Sequence, residues 1–351
     1  MAKGIFIFNK EKIIERLKDE PRPGAQRRGE NVKSLFEEAD NVRSTFSGEE
    51  VHIRGIIEFS NYCCRSCLYC GLRQENKKIL RYRMSADEIV KVSNEIIHRG
   101  VKTVVLQSGD DFGYSQKMLS DIIRKIKSAN PETAITLSLG ERPFDDYKIF
   151  KNAGADRYLL KHETADFELY ERLHPGQTLK KRIETLEYLK KLDYQTGAGN
   201  IVGLPGQTLE DLADDILLMK RLDVDMAGIG PFIPQKDTPL GSCSFGSLDL
   251  TLKVLALTRI VTENIHLPAT TALATLSLKD GQILGLKAGA NVIMPDFTPE
   301  GYRREYLIYD NKLRVNLERA EESIFKAGRL ISKNRGDSLK CKRHQKAFAC
   351  I

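Results

Sequence analysis

VHIRGIIEFSNYCCRSCLYCGL, residues 51–72, joins two unlike textures. Residues 51–59 are mostly apolar and rich in β-branched side chains, and they read as a strand. The loop that follows holds four cysteines within eight residues, Cys63, Cys64, Cys67 and Cys70. A strand that feeds a chemically unusual loop from its C-terminal end is the pattern of an α/β protein whose site lies at the strand ends.

Working outward, residues 1–50 read as a helical preface. KEKIIERLKD is charged and amphipathic, PRPG breaks it, and NVKSLFEEADNVRSTF resumes a helical period. Downstream of residue 72, short apolar runs alternate with longer amphipathic stretches. Strands are expected near 51–59, 102–107, 134–139, 157–161, 196–202, 225–230, 267–271 and 290–294. Helices are expected over 85–98, 116–128, 179–192, 208–221 and 248–264, with Thr208 as an N-cap and acids in the first turn after it. Eight strands alternating with helices over about 250 residues suit a (β/α)8 barrel of the TIM type. A doubly wound open sheet fits the same alternation. The barrel is preferred because the unusual residues cluster at strand C-terminal ends: Gln107–Asp111, Ser138, Glu163, 203–208, Pro231 and Thr271. The expected organisation is a preface (1–50), the barrel (51–310), and a C-terminal helix with a basic tail (311–351).

The chain of 351 residues is 41% hydrophobic and 29% charged, enough apolar material for one large core. It has no apolar run long enough to span a membrane and no secretory leader at its start, so the expected location is the cytoplasm. The net charge of +7 raises the question of nucleic acid. Residues 324–351 carry eight Lys/Arg and one acid, Asp337, so the remainder is neutral overall. A solvated basic tail is the expected reading, and nucleic-acid binding is not, because only Phe348 is available there to stack on a base.

In a reducing compartment clustered cysteines point to metal rather than disulfides. A structural zinc needs four ligands, and neither a second CxxC nor a His pair follows at suitable spacing. Three thiolates suit an iron–sulfur centre with one open iron. Both Cys63-x3-Cys67-x2-Cys70 and Cys64-x2-Cys67-x2-Cys70 are possible registers. Adjacent side chains in an extended stretch point to opposite sides, so one thiol of the Cys63–Cys64 pair faces the centre and the other faces away.

Cys63-x3-Cys67-x2-Cys70, with Tyr69 before the last cysteine, resembles the signature of radical S-adenosylmethionine (radical SAM) enzymes. The blocks RYRM, VVLQSGDD, TLSLGE, AGADRYLLKHETA, GAGNIVGLPGQT, GIGPFIP with DTPL, LPATTA and GANVIMPDFTP resemble in turn those of the HydE family of FeFe-hydrogenase maturases, from about residue 50 to 310. Methylornithine synthase shares the loop and barrel. The resemblance implies one 4Fe–4S cluster on Cys63, Cys67 and Cys70, with Cys64 a bystander, and S-adenosylmethionine on the open iron. It implies reductive cleavage to a 5′-deoxyadenosyl radical, and attack on the sulfur of a cysteine-ligated iron carbonyl/cyanide precursor of the hydrogenase cluster. It further implies a reductant such as ferredoxin or flavodoxin, and other hydrogenase maturases as partners.

The same resemblance makes Tyr69, Gln107, Ser108, Gly109, Glu163 and Arg182 cofactor contacts. For Arg182 the physical reason is charge-assisted pairing with a carboxylate. Thr136, Ser138, Thr270 and Thr271 would put hydroxyls into a barrel normally packed with aliphatic residues, which suggests a polar, amino-acid-like or organometallic substrate. Tyr306 resembles a family tyrosine at the mouth. Lys161 stands where the family tends to carry Arg, keeping the charge but losing the planar fork. No second cysteine set follows the last strand: that region reads KLRVNLERAEESIF. Two other readings are an amino-acid mutase similar to methylornithine synthase and a non-catalytic iron–sulfur carrier.

Overall fold

A computed structural model describes residues 9–18 and 28–340. Its strands are β1 (Glu50–Ile53), β2 (Gly55–Ser60), β3 (Thr103–Ser108), β4 (Ala134–Ser138), β5 (Arg157–Leu159), β6 (Gln195–Ala198), β7 (Ile201–Val202), β8 (Met226–Ala227), β9 (Gly230–Pro231), β10 (Val292–Ile293) and β11 (Leu330–Ile331). Every strand pairing is parallel. The main sheet runs β2-β3-β4-β5-β6-β8. From β8 the ring continues through single bridges, Met226 to His266 and Pro268 to Val292, and closes through β10 onto β1, with Ile56 bridging Asp296. The result is the expected parallel α/β barrel.

Four of the expected strands are broken. The run 225–230 yields only β8 and β9, separated by Gly228 and Ile229 and pairing in different sheets. The run 51–59 divides at Arg54: β1 pairs with β10 and β11, while β2 pairs with β3. The run 196–202 divides at Gly199, whose φ of +147° and contact with Gly228 exclude a side chain; an added Cβ would lie 2.1 Å from the Gly228 oxygen. The strand expected over 267–271 does not form. Pro268 has no N–H for a ladder, and Thr270 turns the chain into the short helix Thr271–Leu276 by capping Leu273 N.

The expected helices form over Ala86–His98, Gln116–Ala129, Leu179–Lys191, Leu209–Arg221 and Leu248–Thr262. Gln116–Ala129 shows why: Leu119, Ile122, Ile123 and Ile126 recur at helical spacing and are all buried. Each such side chain contributes about 1.5–3 kcal/mol of burial. Thr208 starts its helix by accepting from Asp211 N, and the Asp211 carboxylate returns the bond to Thr208 N. The preface helices Lys10–Lys18 and Arg28–Ser47 lie against Leu209–Arg221 and Leu248–Thr262 on the outside of the barrel.

The basic tail departs from expectation. Residues 330–340 are not a solvated extension but a strap across the N-terminal end of the barrel. β11 pairs with β1, and the Arg335 carbonyl accepts from Thr103 and Arg157, at 2.9 Å each. Arg335 and Lys340 pair with Asp156 and Asp223. Clustered acids and carbonyls at the strand starts recruit these cations. Residues 341–351, with Cys341 and Cys350, lie outside the described residues. Among the described residues no helix is long and apolar enough to cross a membrane.

Candidate active site at the barrel mouth

Strand register determines which side chains reach the mouth. Glu58 pairs with Gln107 and Gln107 with Ser138; two residues lower, Ile56 pairs with Val105 and Val105 with Thr136. Glu58, Gln107 and Ser138 line a cavity of about 380 Å³ at the strand C-terminal ends. The same cavity is lined by Cys63, Cys67, Tyr69, Cys70, Ser108, Gly109, Lys161, Glu163, Arg182, Thr270, Thr271 and Tyr306. Thr136 does not reach it. It sits one layer down, buried, with its hydroxyl unbonded.

The cysteine loop is pinned from several sides. Gly109 packs against it so closely that a Cβ would lie 2.4 Å from the Tyr62 oxygen and 2.7 Å from Cys63 Cβ, so this glycine makes room for the loop. Cys64 N donates to the Asp110 carbonyl (3.1 Å), Leu68 N to Leu173 (2.9 Å) and Gly71 N to Ile308 (3.0 Å). Cys63 thereby faces the cavity while Cys64 is exposed outside it. Burial pushes the Cys63 thiol up to about 12 and Cys70 to about 11, and also raises Cys67 well above the ordinary thiol value. Deprotonating all three takes a strong electrophile such as a metal centre.

Beside the thiols lies a charged wall. Arg182 donates to Glu141 (2.6 Å), to Gln177 (3.3 Å) and to the Lys161 carbonyl. Arg65 pairs with Asp110 at 2.6 Å. Glu163 adopts a φ of +65°, rare for a residue with a side chain. Its buried Oε2 accepts no hydrogen bond; the Lys161 ammonium stands 3.2 Å away in ion-pair contact but without hydrogen-bond alignment. His174 Nδ1 donates to the Tyr170 carbonyl (2.7 Å), which leaves Nε2 to accept from the Tyr69 hydroxyl (2.8 Å). Burial, with the neighbouring Arg182 charge, lowers the His174 pKa to about 4, so the imidazole is neutral and holds Tyr69 in place.

A further polar group was not anticipated from the sequence. Glu58 is buried against Lys312, both line the cavity, and Lys312 lies 4.9 Å from the centroid of the Tyr306 ring. The Tyr306 hydroxyl accepts from Gln107 at 3.2 Å. Burial raises the Glu58 pKa to about 7, against the attraction of Lys312. The one signal for Glu58 was a lone acid at an inward position of an apolar strand. His174 and Gln177 were also missed, because they come from a connection between helices with no distinctive spacing.

The Radical SAM superfamily matches residues 57–219, from β2 through the helix Leu209–Arg221. The FeFe hydrogenase maturase subunit HydE of Thermotoga maritima is 51% identical over 81% of this chain and 80% of its own length. The chain belongs to the HydE family of radical SAM enzymes. The 3-methylornithine synthase of Methanosarcina acetivorans is 28% identical over 85% of this chain and 83% of its own. The crystal structure of methylornithine synthase (PylB) superposes with a TM-score of 0.80 at 25% identity, covering 92% of this chain and 94% of that one. A crystal structure of HydG shares the fold, with a TM-score of 0.81 at 17% identity over 97% of this chain and 77% of that one.

Membership of the radical SAM family implies a 4Fe–4S cluster and S-adenosylmethionine, and the residues present fit both. Among the described residues no three His, Cys, Asp or Glu groups converge on a single-ion site. Three thiols instead line one cavity, as a multi-iron cluster requires. Gln177 Nε2 stands 3.8 Å from Cys67 Sγ, a donor aimed at one sulfur of the triad. Glu163 Oε2 contacts the Lys161 ammonium but accepts no hydrogen bond, so it can accept one from a hydroxyl or ammonium such as those of a nucleoside amino acid.

Proposed function

We propose that this enzyme takes part in assembling the FeFe-hydrogenase active-site cluster, acting on a cysteine-ligated iron carbonyl/cyanide precursor. One 4Fe–4S cluster would be held by Cys63, Cys67 and Cys70, and S-adenosylmethionine by Tyr69, the Gln107–Gly109 strand end, Glu163 and Arg182. When bound, the two groups supply a one-electron cleavage of the sulfonium that yields a 5′-deoxyadenosyl radical. The remaining functions belong to the chain's own residues. Arg182, oriented by Glu141, offers donors to a carboxylate. Ser138, Lys161, Thr270, Thr271 and Tyr306 form the polar lining that a zwitterionic or organometallic substrate would meet. Phe232, Ile233 and Met294 supply an apolar wall that excludes water from a reactive intermediate.

The observation that carries this reading is the coexistence, in one cavity, of the thiol triad and the Glu163 carboxylate, whose Oε2 accepts no hydrogen bond. The 51% identity to HydE, against 28% to 3-methylornithine synthase, favours the maturase over the mutase. A ferredoxin or flavodoxin would supply the electron, and other hydrogenase maturases would supply and accept the substrate. The test is anaerobic. Reconstituted protein with reductant should cleave S-adenosylmethionine, and it should restore hydrogenase activity to a maturation mixture lacking HydE. Cleavage without restoration rejects the maturase reading; absence of cleavage leaves an iron–sulfur carrier.

A further inference from the structure

Below the cavity lies a carboxylate that the proposed chemistry does not use. Asp215, on the inner face of the helix Leu209–Arg221, is fully buried. It accepts three hydrogen bonds: from His162 Nε2 (3.2 Å), from Asn200 Nδ2 (2.8 Å) and from the Ala165 N–H. These donors surround Glu163. His162 precedes it, Ala165 follows two residues later, and Asn200 bridges it from the neighbouring strand end. The bridge is tight on both sides: Glu163 N donates to the Gly199 carbonyl and Ile201 N to the Glu163 carbonyl, both at 2.9 Å. Gly199 N in turn donates to His162 Nδ1 at 3.4 Å, which leaves the Nε2 proton for Asp215.

The frame has a specific product, a residue with a side chain held at φ +65°. That conformation costs on the order of 1–3 kcal/mol and persists only where its surroundings over-determine it. Removing the frame would let the turn relax and swing the Glu163 carboxylate out of the cavity. The side chain itself makes no compensating hydrogen bond at Oε2.

We propose that Asp215 is a positioning residue for Glu163, acting through His162, Asn200 and the Ala165 amide to aim that carboxylate at S-adenosylmethionine. The inference rests on the reading of Glu163 as a cofactor contact and extends it to residues outside the cavity. Neither Asp215 nor Asn200 lines the cavity, so a loss of affinity on changing either is an indirect effect.

The test is a double-mutant cycle on the reconstituted, cluster-bearing enzyme, reading S-adenosylmethionine affinity by equilibrium dialysis and iron content as a check of folding. Asp215→Asn should weaken cofactor binding about tenfold at constant iron, the scale of one lost hydrogen bond. In a Glu163→Ala background the same change should have almost no further effect, because the group it positions is gone. Asn200→Ser removes one donor only and serves as the second arm should Asp215→Asn fold poorly; it should show the same coupling with a smaller loss. Equal losses with and without Glu163 overturn the proposal, since a merely structural role is additive. An unchanged affinity in Asp215→Asn and Asn200→Ser overturns it too. If Glu163→Ala itself binds the cofactor normally, the reading of Glu163 as a contact fails first, and the positioning role falls with it.

Discussion

The two ends of the barrel bury similar charged groups to opposite effect. At the N-terminal end, Arg157 is fully buried and all three guanidinium nitrogens donate: to Gln195 (2.9 Å), Thr103 (3.0 Å), the Arg335 carbonyl (2.9 Å) and Asp337 (3.0 Å). The strap packs directly against it. At the mouth, Arg182 is nearly as buried, yet it borders an open volume lined by three cysteines and by a Glu163 Oε2 that accepts no hydrogen bond. Saturated polar networks rigidify, and unsaturated ones bind. The difference separates the stability of this protein from its chemistry, and substitutions at the two ends should sort accordingly.

The largest expected effect is at the mouth, between neighbours. Cys63 faces the cavity and Cys64 is exposed outside it. Cys63→Ser should abolish cleavage of S-adenosylmethionine and leave a labile, iron-poor centre, whereas Cys64→Ser should keep about four irons per chain, one 4Fe–4S cluster, and near-normal cleavage. Iron analysis with a 5′-deoxyadenosine assay reads both, and the reverse pattern would mean that the loop is wound the other way.

Next comes the closed end. Arg157→Met removes the hydrogen bonds to Gln195, Thr103, the Arg335 carbonyl and Asp337, at about 1 kcal/mol each; the pair with the partly solvated Asp337 adds little beyond that. Urea unfolding should show this loss, while cofactor affinity of the folded fraction stays unchanged. A selective loss of affinity with normal stability would collapse the distinction between the two ends.

Smaller again is the charged wall of the mouth. Glu163→Ala and Arg182→Ala should keep the cluster chromophore but lose about 1.5–3 kcal/mol of cofactor binding each, the range for hydrogen bonds to charged groups. Arg182 also holds Gln177 and the Lys161 carbonyl, so its replacement should additionally perturb the cluster spectrum, and that of Glu163 should not. Unchanged affinity in both variants would remove them from the site.

How much of this was legible in the sequence follows the same division. The mouth was readable because its residues announce themselves by type and spacing: cysteines at short intervals, Glu163 and Thr271 just after apolar runs. The barrel was readable from alternation, although Pro268 and Gly199 broke strands that hydrophobicity alone made continuous. The closed end was not readable. The strap is a polar segment whose partners, Asp156, Arg157 and Asp223, lie more than a hundred residues away, and nothing local distinguishes Arg335 from a solvated arginine. Glu58 and Lys312 were hidden for the same reason, being 254 positions apart. Asp215 did leave a trace, an acid on the buried stripe of Leu212, Ile216 and Met219.

The smallest expected effect tests the closed end by pH. Asp337 is depressed to about 2: burial alone would raise it, but hydrogen bonds from Arg335 and Gln195 and the charge of Arg157 more than offset that. A carboxyl whose folded pKa lies below its unfolded one adds stability that is fully present above the unfolded value and is lost as pH falls through the folded one. The window therefore runs from above 3.8 down to about 2. The Asp337 side chain is partly solvated, so the contribution is discounted by screening and should shrink with added salt. Asp337→Asn should be less stable than the parent at pH 7, with the gap between urea midpoints narrowing as pH is lowered toward 3. A gap of constant size would mean that Asp337 acts only as a neutral acceptor, and that the strap is held by its backbone contacts to Arg157 and Thr103 rather than by charge.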